Sequence, residues 1–422
     1  MPAERAILVS IQLDPRFSKG RSLWPLEEEA QELGELTTSS GCRIVGELAA
    51  RRHQPVAGTF LGEGKLQEIA GVVDELQGQV VIFNQELSPA QQRNIEERLR
   101  VKTIDRTQLI LDIFAQRAKS QEGKVQVELA QLRYLLPRLV GQGIMLSRLG
   151  GGIGTRGPGE QKLEVDRRRI RARISRLGDE LGKLSRRRQA TRSRRKEADI
   201  PVAALVGYTN AGKTTLLNRL TGASGTAQNQ LFTTLDPLAR RLRLPSGEAV
   251  IVTDTVGFLH HLPHHLIEAF KATLEEARDA DLLLHVLDAS HPLVAKHAAA
   301  VEDVLQELGL QQKPLITVLN KRDQVQDDGR VAALERGYDS AVALSAKTGQ
   351  GIERLLERLS DRLSLLQVEP LRLRVPAEHS DLVVQLYQSG QVLRRQEANG
   401  ALEFLARVPA KLVPLLRPYI VS

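Results

Sequence analysis

The first 120 residues alternate between short apolar runs and amphipathic stretches. Apolar runs rich in β-branched residues predict strands at 6–13, 42–51, 79–84 and 101–105. Amphipathic segments predict helices at 65–76, 89–100 and 106–118. Ser88 before Pro89 is a typical helix start, and Asp105 is the expected cap of the next helix. Because strands alternate with helices, we predict an N-terminal α/β domain with a parallel sheet over residues 1–120.

Residues 121–197 show a different pattern, with apolar side chains at alternating spacings of four and three. One series lies within 125–139 and a second within 170–184. Such narrow seams are typical of two helices that pack along each other. Between them, eight of the nineteen residues of 141–159 are glycine. The pattern therefore predicts an antiparallel helical hairpin with a glycine-rich loop at its tip.

The tip contains a pattern that matches a dinucleotide-binding fingerprint, Gly152-x-Gly154-x-x-Gly157. That fingerprint needs a strand before it and a helix directly after it, because the helix N-terminus holds the pyrophosphate. Here a predicted helix precedes the glycines, and Pro158-Gly159 follow them. We therefore expect no dinucleotide site at the tip.

The net charge of +8 is concentrated in the second helix of the hairpin. Residues 162–196 hold 15 Lys and Arg against four Asp and Glu, a balance of +11, so the rest of the chain carries −3. A cationic run on one element indicates a polyanionic partner. We expect seven arginines to contact that partner: Arg148, Arg156, Arg167, Arg168, Arg169, Arg171 and Arg173.

The remaining chain divides into a second alternating region, 198–366, and a shorter segment, 367–422. In the former, strands are predicted at 201–207, 249–254, 281–288, 314–320 and 341–344, with helices at 213–220 and 348–366. In the latter, Asn399-Gly400 between two apolar runs is a strong hairpin signal, flanked by helical patterns. We predict a second α/β domain followed by a small α+β domain.

A glycine-rich segment follows the first strand of the second α/β domain and opens a helix: Gly207-Tyr208-Thr209-Asn210-Ala211-Gly212-Lys213-Thr214. This is the setting of a phosphate-binding P-loop, in which backbone N–H groups and the helix N-terminus face the anion. Lys213 would reach the β- and γ-phosphates and Thr214 would bind Mg²⁺. The next residue, Thr215, is included in the predicted nucleotide site.

Two further segments stand where a guanine-nucleotide switch needs them. Asp254-Thr255-Val256-Gly257 ends a strand, so Asp254 can hold the Mg²⁺ shell through water and the Gly257 N–H can meet the γ-phosphate. Leu231-Phe232-Thr233-Thr234 lies in a polar stretch between this segment and the P-loop. We expect Thr234 to close over Mg²⁺ in the triphosphate state, with Thr233 as the second choice.

The remaining motifs concern the base. Asn320-Lys321-Arg322-Asp323 ends another strand, and its Asp323 can accept the guanine N1–H and N2–H₂, which adenine does not offer in that pattern. Asn320 and Lys321 would brace the loop, and Ser345-Ala346-Lys347 would offer a backbone N–H to guanine O6. The order of these motifs predicts a P-loop GTPase domain that binds GTP and GDP with Mg²⁺. The expected catalytic residues are Lys213, Thr234 and Gly257.

Phe258 stands after Gly257, where Ras-like GTPases carry a water-orienting glutamine. Phenylalanine cannot polarise water, so intrinsic hydrolysis should be slow and the missing group must come from a partner, another domain or a bound cation. The alternative is that Phe258 only packs against the sheet, and both can hold.

Four histidines follow, and without a neighbouring cysteine or carboxylate they predict a polar switch loop rather than a metal site: His260, His261, His264 and His265.

The whole chain resembles the HflX family of bacterial ribosome-associated GTPases. The matching stretches include TFLGEGK at 59–65, ELSPAQ at 86–91, IDRTQLILDIF at 104–114, ELAQLRYLLPRL at 128–139, GGGIGTRGPGE at 150–160 and DRRRIRARI at 166–174. The apolar residue at Phe258 fits the family as well. The resemblance implies a GTPase that binds the large ribosomal subunit and its rRNA and splits stalled or idle 70S ribosomes during stress. It also implies that the hairpin tip reaches toward the peptidyl-transferase region and that ribosome contact accelerates hydrolysis.

Two alternatives to that function stay open. The hairpin could be a constitutive RNA- or ribosome-binding module in which GTP only tunes affinity. The N-terminal domain could be a separate ATP hydrolase, although residues 1–120 contain no second P-loop.

The single cysteine and the absence of a secretion signal or an apolar run of about 18 residues favour a cytoplasmic protein without an integral membrane segment. We expect a monomer, part of which could associate with membranes.

Overall fold

The structure is a computed structural model that describes residues 3–17, 24–139, 158–197, 200–223, 231–232, 235–260, 275–338, 340–367, 370–376, 379–398, 401–408 and 412–421. The chain divides into two compact units. The first consists of Met1–Arg194, Thr226–Pro237 and Leu259–Glu275, and the second of Arg195–Gly225, Leu238–Phe258 and Glu276–Ser422. In the described residues, no helix combines the length and apolar character needed to cross a membrane.

The first unit contains a four-stranded parallel sheet in the order β2-β1-β3-β4. Its strands are β1 Arg5–Leu13, β2 Arg43–Arg52, β3 Val80–Phe83 and β4 Lys102–Asp105. The helices between and after them are α1 Leu26–Ser39, α2 Glu63–Leu76, α3 Pro89–Leu99 and α4 Arg106–Arg117. The predicted parallel sheet is confirmed, and each predicted strand agrees with its observed bounds to within one residue.

Local side-chain caps start two of these helices where the sequence predicts them. Ser88 Oγ accepts from Gln91 N at 3.2 Å, and Gln91 Oε1 accepts from Ser88 N at 2.9 Å, which completes a capping box for α3. The fully buried Asp105 caps α4 by accepting from Gln108 N at 2.9 Å. Asp105 also accepts from the Tyr134 hydroxyl at 2.8 Å, so the same carboxylate hydrogen-bonds to the next helix along the chain.

That next helix, α5 Gln121–Arg138, pairs with α6 Pro158–Glu197. The predicted seam is present: Val125, Leu129 and Leu177 are buried together, with Leu132, Ile174, Leu181 and Leu184 packed against them. Gln121 contacts Glu180 whereas Glu128 contacts Arg173, so the two helices run antiparallel, as predicted.

The hairpin tip, residues 140–157, lies outside the described residues and includes Arg148 and Arg156. Helix α6 begins at Pro158, directly after Gly157. The expectation that no helix follows the glycines is therefore wrong, since proline is favoured in the first turn of a helix. The fingerprint still lacks its preceding strand, because the element before the tip is the helix α5.

The second unit contains a six-stranded sheet in the order β10-β9-β8-β5-β7-β6. All neighbours are parallel except β6, which pairs antiparallel with β7. The strands are β5 Val202–Gly207, β6 Leu238–Arg243, β7 Ala249–Asp254, β8 Leu282–Asp288, β9 Leu315–Asn320 and β10 Val342–Ala343. The helices are α7 Lys213–Thr221, α8 Val294–Glu307, α9 Asp328–Gly337 and α10 Ile352–Gln367. Five strands confirm the prediction, whereas β6 was not predicted and α10 begins four residues later than expected.

A separate antiparallel sheet in the order β11-β13-β12 follows. Its strands are β11 Leu371–Pro376, β12 Gln391–Ala398 and β13 Ala401–Arg407, and its helices are α11 Ser380–Ser389 and α12 Val413–Leu416. Ala398 pairs with Ala401, so the predicted hairpin is confirmed although residues 399–400 themselves lie outside the description. This sheet has its own apolar core, which includes Leu373 and Phe404.

Candidate nucleotide-binding site

The predicted P-loop connects β5 to α7 at the carboxyl end of the six-stranded sheet. Gly212 has a φ of 94°, and a Cβ there would overlap the Asn320 side chain, so only glycine fits this turn. Lys213 Nζ donates to the carbonyl oxygens of Gly207 at 3.0 Å and Tyr208 at 2.9 Å. The loop is therefore a compact turn closed by its own lysine.

Lys213 is a buried cation, with 6% of its surface exposed. Burial lowers the pKa of its amine to about 8, and the nearby Asp254 carboxylate acts in the opposite direction. Burial removes the water that would solvate the charged amine, and the negative charge of a polyphosphate beside it would compensate for that loss. The electrostatics of the loop therefore suit the triphosphate predicted from the sequence.

Two of the predicted magnesium residues meet directly. Asp254 ends β7 with no exposed surface, and its Oδ2 accepts from Thr214 Oγ1 at 2.7 Å. The register brings them together, because β5 and β7 are parallel neighbours in which Leu205 pairs with Asp254. A hydroxyl and a carboxylate are hard oxygen ligands of the kind Mg²⁺ prefers. The donor set therefore fits a magnesium ion between β7 and the start of α7.

The segment after Asp254 packs on the P-loop. A Cβ on Gly257 would lie 2.8 Å from Thr209 Cα and 3.0 Å from Lys213 Nζ. Thr209 N donates to Phe258 O at 2.8 Å, and Phe258 N donates to Gly207 O at 3.1 Å. Phe258 is 1% exposed, which supports the packing role for its ring. Thr255 and Val256, which lie between Asp254 and Gly257, are also buried.

The base motif is organised by one buried amide. Asn320 ends β9, and its Nδ2 donates to Ala211 O of the P-loop at 2.8 Å. Its Oδ1 accepts from Ala346 N at 2.9 Å, so a single side chain holds two loops. Lys321 Nζ contacts Asp288 Oδ2 at 2.7 Å, which fixes the lysine stem beside that loop.

The two base-contacting segments differ in exposure. Asp323 is exposed on the single turn Arg322–Gln324, where a ligand can reach it, whereas Ser345 is fully buried and Lys347 is exposed. The Ala346 amide donates to Asn320 Oδ1 at 2.9 Å in this arrangement, and its expected bond to guanine O6 stays a prediction. Arg219 on α7, which was not among the predicted residues, donates to Ala346 O at 3.0 Å and also to Lys347 O.

Comparison with known proteins decides the family. The chain matches, in order, the GTP-binding GTPase N-terminal family at 27–115, the GTP-binding GTPase middle region at 117–195, the 50S ribosome-binding GTPase family at 202–321 and the HflX C-terminal domain at 331–411. A GTPase HflX of Caldanaerobacter subterraneus subsp. tengcongensis is 46% identical over 419 residues, which is 99% of this chain and 94% of that protein. This chain belongs to the HflX family of GTPases.

A second relative agrees with this assignment. A GTPase HflX of Escherichia coli K12 is 44% identical over 408 residues, covering 96% of this chain and 94% of that protein. The crystal structure of a GTP-binding protein from Sulfolobus solfataricus in complex with GDP is 25% identical, with a TM-score of 0.46 over 86% of this chain and all of that one. As a member of the HflX family, the chain is a GTP-hydrolysing enzyme whose nucleotides are GTP and GDP.

One contact in this HflX-family chain could not be inferred from its motifs. The Tyr208 ring of the P-loop stacks on His297 of α8, with centroids 4.1 Å apart and planes 2° from parallel. Burial lowers the pKa of His297 to about 4, so the imidazole is neutral at physiological pH. No local pattern signals a contact between a glycine-rich loop and a distant helix.

The switch residues of the HflX-family chain are only partly described. Leu231 and Phe232 are buried, whereas Thr233 and Thr234 lie outside the described residues. Of the four histidines only His260 is described, and its ring stacks on Trp24 at 4.2 Å. Residues 261–274 lie outside the description, and among the residues that are described no group of three or more metal-ligating side chains occurs.

Proposed function

We propose that this chain, with GTP bound, attaches to the large ribosomal subunit and splits stalled or idle 70S ribosomes under stress, and that the ribosome stimulates its hydrolysis. The match of residues 202–321 to 50S ribosome-binding GTPases supports a ribosomal partner. The observation that carries the proposal is α6, a 40-residue helix whose basic run has a balance of +11. We further propose four parts, 1–120, 121–197, 198–366 and 367–422, in a cytoplasmic monomer.

The proposed nucleotide chemistry follows from the side-chain arrangement. Mg²⁺, when bound, neutralises charge between the β- and γ-phosphates. Thr214, Asp254 and Thr234 would hold it, and Lys213, Thr234 and Gly257 would act at the γ-phosphate. Asp323 would select guanine through its two acceptor oxygens. We propose that the base and loop contacts also include Asn320, Lys321, Ser345, Ala346 and Lys347.

The decisive test uses Lys213→Ala and sedimentation of 70S ribosomes through sucrose gradients. With a non-hydrolysable GTP analogue, the natural chain should convert 70S particles to subunits, whereas GDP should not support this. Lys213→Ala should abolish the conversion, because it removes the buried amine proposed to bind the phosphates. Lys296→Ala on α8 serves as the matched control. Splitting retained by Lys213→Ala would contradict the mechanism.

The alternative function is a constitutive RNA- or ribosome-binding module in which GTP only tunes affinity. It predicts co-sedimentation with 50S subunits in every nucleotide state and unchanged subunit populations. The same gradients therefore separate the two functions, provided that binding and splitting are scored independently.

The basic helix contains arginines with different tasks. Arg173 makes a two-point contact with Glu128 of α5, Nε to Oε1 at 2.7 Å and the second nitrogen to Oε2 at 2.8 Å. This contact lowers the pKa of the Glu128 carboxyl. Arg173 therefore joins the two helices, whereas Arg168 and Arg169 are exposed.

The double substitution Arg168→Gln and Arg169→Gln tests the phosphate contacts. Each lost contact should reduce the slope of log affinity against log salt by about 0.7–0.9. Arg98→Gln with Arg100→Gln, on and just after α3, removes the same charge elsewhere and should leave the slope unchanged. Equal slopes in the natural chain and the α6 variant would contradict rRNA binding by these arginines.

A further inference from the structure

The loop between β10 and α10 is held by an arginine of another helix. Arg219 lies in the last turn of α7, and its Nε donates to Ala346 O at 3.0 Å. A second guanidinium nitrogen, Nη2, donates to Lys347 O. One side chain thus contacts two successive carbonyl groups, which lie 127 and 128 positions further along the chain. All three residues belong to the second compact unit.

This arginine is not needed to end its own helix. Basic side chains in the last turn of a helix often bond the final carbonyl groups of that helix. Here Gly222 takes the left-handed conformation with a φ of 63°, and its N–H donates to Asn218 O. The backbone therefore closes the end of α7, and the Arg219 guanidinium bonds the neighbouring loop instead.

The guanidinium lies against a tight turn of that loop. Gly349 N donates to Ser345 O at 2.8 Å, and Thr348 N donates to Ser345 Oγ at 3.1 Å. Gly349 has a φ of 94°, and a Cβ there would lie 3.8 Å from Arg219 Cζ. The hydrogen bonds within the turn do not involve the peptide unit that follows Ala346, so Arg219 holds that unit from outside the turn.

The peptide unit in question carries the N–H group of Lys347. In a trans peptide the C=O and the N–H point in opposite directions, so a guanidinium that fixes Ala346 O also fixes the direction of the Lys347 N–H. The preceding N–H, that of Ala346, donates to Asn320 Oδ1. The Lys347 N–H donates to no other residue of the described parts of the chain. It is therefore a fixed donor that a ligand can use.

We propose that Arg219 is a positioning residue for guanine recognition. By holding the carbonyl groups of Ala346 and Lys347, it directs the Lys347 N–H toward guanine O6 when nucleotide is bound. The inference rests on the proposed contact of residues 345–347 with the base, and it names the side chain that sets the geometry of that contact. Guanine carries an acceptor at this position whereas adenine carries an amino group, so a fixed N–H donor favours guanine.

Two altered bases separate the O6 contact from the contacts proposed for Asp323. 6-Thioguanine has sulfur in place of O6, which is a weaker acceptor, and keeps N1–H and the 2-amino group. Hypoxanthine keeps O6 and lacks the 2-amino group that Asp323 would accept. The affinity ratio of GDP to 6-thio-GDP therefore reports the O6 contact, and the ratio of GDP to inosine diphosphate reports the Asp323 contact.

The experiment measures the affinities of the full chain for GDP, 6-thio-GDP and inosine diphosphate by isothermal titration calorimetry with Mg²⁺. The natural chain should bind GDP roughly tenfold more tightly than 6-thio-GDP, the effect of one hydrogen bond. Arg219→Ala should reduce this ratio to about twofold and leave the ratio of GDP to inosine diphosphate unchanged. Arg336→Ala is the matched control, because Arg336 is exposed on α9 of the same unit, and it should change neither ratio.

A conservative variant tests the need for two donors. Arg219→Lys keeps the positive charge but replaces the planar guanidinium by a single ammonium group. It should hold one of the two carbonyl groups and give a ratio between those of the natural chain and Arg219→Ala. A ratio equal to that of the natural chain would show that two donors are not required and would contradict the proposed geometry.

The remaining outcomes distinguish positioning from general stability. If Arg219→Ala keeps the tenfold ratio, lowers both ratios together or weakens all three nucleotides equally, the positioning role is wrong. A natural chain that binds GDP and 6-thio-GDP equally would instead overturn the proposed base contact of residues 345–347, and this inference with it. The two failures are therefore distinguishable.

Discussion

Asn320→Asp is a near-isosteric change with a large expected effect. The natural side chain is 2% exposed, donates from Nδ2 to Ala211 O at 2.8 Å and accepts at Oδ1 from Ala346 N at 2.9 Å. An aspartate at this position keeps the acceptor and the volume. It also replaces the donor with an oxygen that faces the carbonyl of Ala211.

The magnitude follows from this one inverted contact. A buried carbonyl without its donor costs about 1–3 kcal/mol, and a buried carboxylate adds a desolvation cost unless it takes up a proton. We expect the free energy of unfolding to fall by about 2–4 kcal/mol at pH 8. Burial and the facing carbonyl should raise the pKa of the introduced carboxyl above its unfolded value. The folded variant then binds a proton more readily than the unfolded chain, so its stability falls as pH rises through that interval.

Urea denaturation followed by circular dichroism at pH 5.5 and pH 8 measures this loss, and titration with fluorescent GDP measures binding. At pH 5.5 the protonated carboxyl can donate to Ala211 O, so the deficit relative to Asn320 should shrink and GDP affinity should partly recover. Asn320→Ala cannot regain a donor and should show a deficit that does not change with pH. A loss below about 0.5 kcal/mol at pH 8, or one equal at both pH values, would refute the assignment of Asn320 as the link between the two loops.

Three further substitutions test other parts of the chain. Burial raises the pKa of Glu29 to about 7 from 4.5, so folding stability should fall as pH rises between these values. Glu29→Gln should therefore stabilise the fold by about 1–3 kcal/mol at pH 8 and by less at pH 5 in thermal melts; an equal effect at both pH values would contradict this. Gly257→Ala puts a Cβ 2.8 Å from Thr209 Cα and should reduce GTP turnover about tenfold or more while GDP affinity falls less, whereas equal losses would argue against a γ-phosphate role. Ser88→Ala removes the acceptor for Gln91 N and should cost about 1 kcal/mol in urea denaturation, with an unchanged midpoint as the contrary result.

The regular elements were predictable where their signals are local. The caps of Ser88 and Asp105 and the two apolar seams of the hairpin need only residues within a few turns of one another. Strand β6 was missed because Leu238–Arg243 contains three arginines and only Leu242 is buried, so pairing with β7 rather than its own pattern makes it a strand. Strand β11 was missed although Leu371, Leu373 and Val375 alternate with polar residues in the ordinary way.

The candidate site shows the same division. Thr214 and Asp254 lie 40 positions apart, yet the sequence predicts their proximity. Asp254 ends β7 and Thr214 follows the loop after β5, and the carboxyl ends of these two parallel neighbours lie at the same edge of the sheet. Arg219 and Ala346 are 127 positions apart and belong to no shared periodic pattern. Their contact depends on how a loop packs on a helix terminus, which requires the tertiary structure.

Helix α6 has a mechanical consequence beyond its charge. Its 40 residues form one continuous rod about 60 Å long, and its apolar seam with α5 begins at Ile174. Pro158 is 16 residues before that point, or about 24 Å along the axis. A rotation of ten degrees about the start of the seam would move Pro158 by about 4 Å. A stiff helix of this length therefore converts a small rotation at the seam into a displacement of several ångströms at its N-terminal end.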